Sequence, residues 1–171
     1  MTGSIVAPGV VRQFGKHHRI IFGELDGQIT SRVERIRDVC QAAGIEAVLS
    51  GDIQRARWEK FIMLVAISGF CALVRRPIGD LRDEPDIAPL IDDAMREVVE
   101  VGRACGVKFS PAVLHSLRPL IHDVPPNTTP SMAVDLLAGN RLELPWLAGK
   151  VVQLGATHSV PTPVNPSSTR R

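Results

Sequence analysis

Tyrosine is absent from this 171-residue chain, and its other aromatics are five phenylalanines and two tryptophans scattered along its length. Single-strand nucleic-acid binders need stacking platforms, and duplex binders need a basic face. The 20 basic and 18 acidic residues are interleaved and leave a net charge of +2, so nucleic acid is not an expected partner. Cysteine is sparse as well. Cys40, Cys71 and Cys105 form no CxxC pair, fall on apolar helical stripes and lack histidines at ligand spacing, so they read as reduced core residues. An odd count with no charged-then-apolar leader predicts a cytoplasmic chain. His17 and His18 lie in a connector, His115 and His122 in or near a helix, and His158 before the tail; none belongs to an HExxH or a Cys/His cluster, so no metal site is expected. The 14 glycines never fall as GxGxxG or GxxxxGK, so neither a dinucleotide fingerprint nor a P-loop is present in the sequence.

What the chain does have is apolar helix. Length and a 44% hydrophobic, 22% charged composition suit a single globular domain. From Phe61 to Val74 only Ser68 and Gly69 interrupt the apolar residues, which predicts a buried central helix from about Ile53 to Val74, stopped by Pro77. A bilayer span takes roughly 18 or more apolar residues, and this run is shorter and flanked by charges, so a membrane is not an expected partner. Lys60, Leu64 and Ser68 share one face of that helix at i, i+4 and i+8. A lysine at the mouth of a buried helix either snorkels its ammonium to water or, once desolvated, exchanges protons near neutral pH. Lys60 stands out among only four lysines, the others being Lys16, Lys108 and Lys150.

Around that helix the pattern predicts others. Ser31 and Glu34 fit a capping box opening a helix over 31–43, with Gly44 as its stop. The segment 78–85 reads as a loop, after which Asp86 can cap a helix striped with Ile87, Ile91, Ala94, Val98, Val101 and Cys105. Ser110 and Pro111 read as the cap and first turn of a helix with Leu114, Leu117 and Ile121 inward. A short helix runs from Ser131 to Ala138, and Pro145 opens a last one with Leu147, Val151 and Leu154 inward. Residues 4–24 read as a β-hairpin in which SIVAPGVV and RIIFGE flank the connector QFGKHH, and no other clear strand is expected. The Pro/Ser/Thr-rich tail cannot stay ordered by itself. By position alone, Ser131 is an N-cap, Asp135 a solvated residue and Glu143 a carboxylate complementing a helix start.

Several segments together resemble the C-terminal half of the ketopantoate reductase (2-dehydropantoate 2-reductase) family. They are FGELDG at 22–27, WEKF at 58–61, RRPIGDLR at 75–82, EVVEVGRACGV at 97–107, PSMAVDLLAGNRLEL at 130–144, LAGKVVQLG at 147–155 and VPTPVN at 160–165. The resemblance covers almost the whole chain, and it rests on the order and spacing of the segments more than on any one of them. It implies a mainly α fold, a compact all-helical bundle around the buried central helix like the C-terminal domain of 6-phosphogluconate dehydrogenase, with a short N-terminal β-hairpin. Residues 1–28 would be remnant strands of a missing nucleotide-binding domain, 29–158 the helical substrate and catalytic domain, and 159–171 a polar tail. The implied function is the substrate-binding and proton-donating half of an NADPH-dependent 2-oxo acid reductase of pantothenate biosynthesis. Such a half is not self-sufficient: it needs a Rossmann domain in cis or in trans to bind NADPH, and it is compatible with a homodimer.

Matched motif to motif, Lys60 falls on the family's catalytic lysine, which protonates the ketone oxygen. Glu143 falls on the acid that holds the substrate hydroxyl, and Ser131 on the serine that helps bind the carboxylate end. One and two turns after the lysine, pantoate-specific members carry asparagines where this chain has Leu64 and Ser68, and Pro145 stands near where an acid is usual. Ser68 is thus the polar candidate left on that face. These departures bear on the substrate, so a paralogous 2-oxo acid reductase half is an alternative. A non-catalytic helical association module is another.

Overall fold

The computed structural model describes residues 2–14 and 19–165, so His17, His18 and the tail from residue 166 lie outside the described residues. Where composition suggests one domain, the chain divides into two compact units, Met1–Ala56 and Arg57–Arg171, and the division falls in the first turn of the long helix.

In the first unit, strands β1 (Thr2–Ala7) and β2 (Val10–Phe14) pair antiparallel. The hairpin is present, but its turn is at Pro8 and Gly9. Proline fixes its own φ near the turn value, and Gly9 takes a φ of 74° that a side chain would resist. The expected connector QFGKHH is therefore not the turn; its first two residues belong to β2, and Gly15 to His18 lie outside the described residues. The second apolar run, RIIF, forms β3 (Arg19–Phe22) and pairs in parallel with β4 (Glu46–Leu49), a strand not expected from the sequence. Helix α1 (Ser31–Ala42) connects them, since parallel neighbours need a crossover. Its cap is Thr30, one residue before the expected Ser31: the Thr30 hydroxyl accepts from the Val33 amide at 3.4 Å. FGELDG joins β3 to α1. A Cβ on Gly23 would lie 2.2 Å from the Ser50 carbonyl oxygen, so only glycine lets the two strand ends approach. Glu24 accepts from the Thr30 hydroxyl at 2.7 Å and from Arg32, which holds its carboxyl below the usual range, chiefly through the bond from Arg32.

Helix α2 (Ile53–Val74) has the expected bounds. Asp52 caps it, its carboxylate accepting from the Arg55 amide at 2.9 Å. The second unit is helical: α3 (Ala88–Ala104), α4 (Val113–Asp123), α5 (Ser131–Ala138) and α6 (Ala148–His158) surround the rest of α2, with 3-10 turns at Ile78–Asp80 and Leu144–Trp146. The core joins Ile62, Val65 and Cys71 of α2 to Met95, Val98 and Val101 of α3 and Val151 of α6. Two expected caps shift: Ile87, with no side-chain bond, precedes α3, and Ala112 precedes α4, because Ser110 spends its hydroxyl on the Ala112 amide in the turn before the helix. The last helix starts at Ala148, after the 3-10 turn that holds Pro145. Central α2 is not enclosed all round, since Leu64, Leu73 and Val74 are exposed. Among the described residues no helix is long and apolar enough to cross a membrane.

Candidate active site

Lys60 is set by its neighbour Trp58. That indole packs edge-on to Phe61 (5.6 Å between ring centroids) and Phe109 (6.5 Å), and the rings of Trp58 and Phe109 lie against Gly102 of α3. A Cβ on Gly102 would come within 2.6 Å of Phe109 and 3.0 Å of Trp58, so glycine there admits the indole and fixes the rotation of α2. WEKF and VGRACGV, distant in sequence, thus meet as one packing contact. The rotation leaves Lys60 exposed. The ion pairs nearest it in sequence, Arg55–Asp52 at 3.6 Å and Arg76–Asp80 at 2.9 Å, do not involve it, and its ammonium is uncommitted among the described residues.

Ser68, two turns on, is 2% exposed and sits within the core. Ser131 is the first residue of α5, exposed, and does not cap it: the preceding residue is Pro130 and no side chain caps the helix. Asp135, in the same helix, accepts from the Asn140 side chain at 3.1 Å, closing the C-terminus at Gly139, whose φ is 71°. Glu143 is exposed, and its carbonyl starts the 3-10 turn by accepting from Trp146 at 2.9 Å. Leu142 and Leu144 on either side pack on the core, which turns the carboxylate between them outward. The structure therefore presents Lys60, Ser131 and Glu143 at the surface of one unit and encloses Ser68. Among the described residues no hydrogen bond joins the four, and no group of three or more His, Cys, Asp or Glu could hold a metal ion.

Two features were not legible as site-forming. The segment before residue 166 is tied down by Glu97 of α3, whose carboxylate accepts from the amides of Val164 (2.7 Å) and Asn165 (2.9 Å) and from the Asn165 side chain (2.8 Å). Asn165, 3% exposed, also donates to the Ala94 carbonyl at 3.1 Å. The VPTPVN motif is the signal for this clasp. Its residues Pro163 to Asn165 wall an apolar cavity of about 510 Å³ lined also by Gly69, Leu73 and Met132. Val65, Gly69 and Ala72 in its wall lie about a third of a turn round α2 from the Lys60–Leu64–Ser68 stripe. The second feature is Arg82, the end of RRPIGDLR, which donates to the carbonyls of Ile121 (3.2 Å), His122 (2.9 Å) and Val124 (2.6 Å) and so closes α4.

A helical unit closed by these motifs is matched by known proteins. The chain belongs to the family described as ketopantoate reductase PanE/ApbA C terminal, which it matches over residues 52–169. It is 32% identical over 157 residues to a 2-dehydropantoate 2-reductase of Halobacterium salinarum, covering 92% of this chain and 51% of that protein. The PanE/ApbA family ketopantoate reductase of Ralstonia eutropha superposes with a TM-score of 0.83 at 29% identity, over 96% of this chain and 53% of that one. A dimeric ketopantoate reductase from Staphylococcus aureus has the same fold, with a TM-score of 0.82 at 23% identity over 96% of this chain and 55% of that one. The chain spans about half the length of the curated relatives it matches.

Proposed function

We propose that this chain is the substrate-binding and proton-donating half of a 2-oxo acid reductase of the ketopantoate type, acting in pantothenate synthesis in the cytoplasm. The observation that carries the reading is Lys60: an exposed ammonium with no ion-pair partner among the described residues, on a helix that the Trp58–Gly102 contact packs in place. A positioned ammonium acts as general acid, giving its proton to the ketone oxygen as the carbon is reduced, an effect of typically about 10²–10⁴ in rate. Ser131, at an α5 N-terminus whose amides lack a side-chain cap, suits the substrate carboxylate, and Glu143 accepts from the substrate hydroxyl. Ser68 backs the face from within. The described residues do not fit a whole nicotinamide dinucleotide, because no glycine-rich turn cradles a diphosphate. NADPH, the hydride source, is in this reading bound by a Rossmann domain in cis or in trans, and strands β1, β2 and β3 belong to that domain's edge.

The test is to fuse the chain behind the NADPH-binding domain of a 2-dehydropantoate 2-reductase and follow NADPH oxidation with 2-oxo acids. Substrate-dependent oxidation is expected, and its absence from a folded, NADPH-binding fusion would remove the proposal. A second reading, a helical module that persists by self-association, is favoured by the apolar cavity and by the exposed Leu73 (71%) and Leu137 (64%). Both readings allow a homodimer. Sedimentation at several concentrations should then show mass rising with concentration, and a strictly monomeric folded chain counts against association.

A further inference from the structure

A second cavity, of about 140 Å³, lies at the head of α3. Its walls include Arg82 from the loop before α3, Ala88 and Asp92 from the first two turns of α3, and Arg118 and His122 from α4. The acids nearby are engaged or too far off. Asp92 accepts from Arg118 Nε at 2.8 Å, while Asp83 lies 3.6 Å from both Arg82 Nε and His122 Nδ1, too long for a hydrogen bond. Arg82 makes its three hydrogen bonds to the end of α4 through Nη1 alone. Its Nε, on the other side of the guanidinium, is buried and has no acceptor among the described residues. Such a donor is costly to leave unmatched, the more so on a cation. The helix adds positive potential, since no side chain caps α3 and no acid lies in its first turn. Gly102, against which Trp58 packs, is about 20 Å from Ala88 along α3, so a small ion held here is not the ketone that meets Lys60.

We propose that this cavity is an oxyanion-binding site, which takes a phosphate or carboxylate group on the Nε–Nη2 edge of Arg82 with Arg118 and His122 as further donors. That edge of a guanidinium meets two oxygens of such a group with two parallel hydrogen bonds. Arg118 spends its Nε on Asp92 and has its Nη groups to offer. The site stands whether or not Lys60 is the proton donor. In the test the full chain is titrated with inorganic phosphate and, separately, with acetate, at an ionic strength held constant with sodium chloride, and the Nε–H resonance of Arg82 is followed by NMR. A saturable shift is expected. Arg118→Gln should weaken binding by about tenfold, Arg118→Lys by less, and Asp92→Asn, which removes the competing carboxylate, should tighten it. Circular dichroism verifies that each variant is folded, and Arg82 is left in place because its Nη1 closes α4. Saturation by phosphate alone assigns the site to a phosphate group, by acetate alone to a carboxylate, and by both to either. No saturable shift with either anion, or affinities in Arg118→Gln and Asp92→Asn equal to that of the native sequence, overturns the site.

Discussion

Replacing Glu97 with alanine removes the acceptor of three N–H groups, and the cost follows from where those donors lie. The Val164 amide is half-buried and can turn to water, but Asn165 is enclosed, so its backbone N–H and one of its two side-chain N–H groups would be left without partners while the other keeps the Ala94 carbonyl. An unsatisfied buried donor costs about 1–3 kcal/mol, which sets the loss at about 3 kcal/mol for the two that water cannot reach. At 1.4 kcal/mol per factor of ten, that is a drop of about 150-fold in the folded-to-unfolded ratio if the tail unfolds with the helices. Glu97→Gln keeps one acceptor oxygen but turns an amide toward the donors, and should lose about half as much. Asn165→Ala removes the bonds to Ala94 and Glu97 while the two backbone bonds persist, so its cost should not add to that of Glu97→Ala in the double variant. Urea unfolding gives the free energies, and amide exchange at Val164 and Asn165 reports the clasp directly. If Glu97→Ala unfolded at the native urea midpoint with both amides still protected, the clasp would not be what orders the tail.

Other sites have equally definite expectations. Gly102→Ala drives a methyl into Phe109 and Trp58; overpacking of about 1–3 kcal/mol outweighs the helix-propensity gain of up to about 1 kcal/mol, so urea unfolding should show a net loss and Trp58 fluorescence should shift. Arg82→Ala uncovers three carbonyls at the end of α4 and should cost about 2–3 kcal/mol by the same assay, with Arg82→Lys recovering part. For Glu24 the folded pKa is lowered, so its stabilisation is fully present above the ordinary value of 4.5 and is lost as pH falls through the lowered one. The stability gap between the native chain and Glu24→Gln should therefore be constant at neutral pH and close under acid, as followed by thermal unfolding across pH. Burial pushes the Cys71 thiol up to about 11, so alkylation at pH 8 should reach it only on unfolding.

How far the chain could be read depended on how local each signal was. The course of α2 follows from an apolar run interrupted only at Ser68 and Gly69 and its end from Pro77, and the α3 stripe follows from helical spacing, both contained in one stretch. Strand β4 escaped because four residues, EAVL, show little alternation and their partner RIIF lies across α1. The misplaced hairpin turn arose where two glycine-containing segments competed, and Pro8–Gly9 has the better turn chemistry. Ordering of the tail needed a carboxylate 67 and 68 residues away, which no window of sequence contains. At the site, the position of Lys60 was legible from spacing, but its exposure depends on Gly102 admitting Trp58. Ser131 and Glu143 could be selected only by resemblance, because each has a plain role at a helix start.

Lys60 as proton donor stands or falls on the single-turnover rate of 2-oxo acid reduction in the fused enzyme carrying Lys60→Ala, with NADPH affinity measured alongside. That rate should fall by about 10²–10⁴ with NADPH affinity unchanged. A rate equal to that of the native sequence would contradict it.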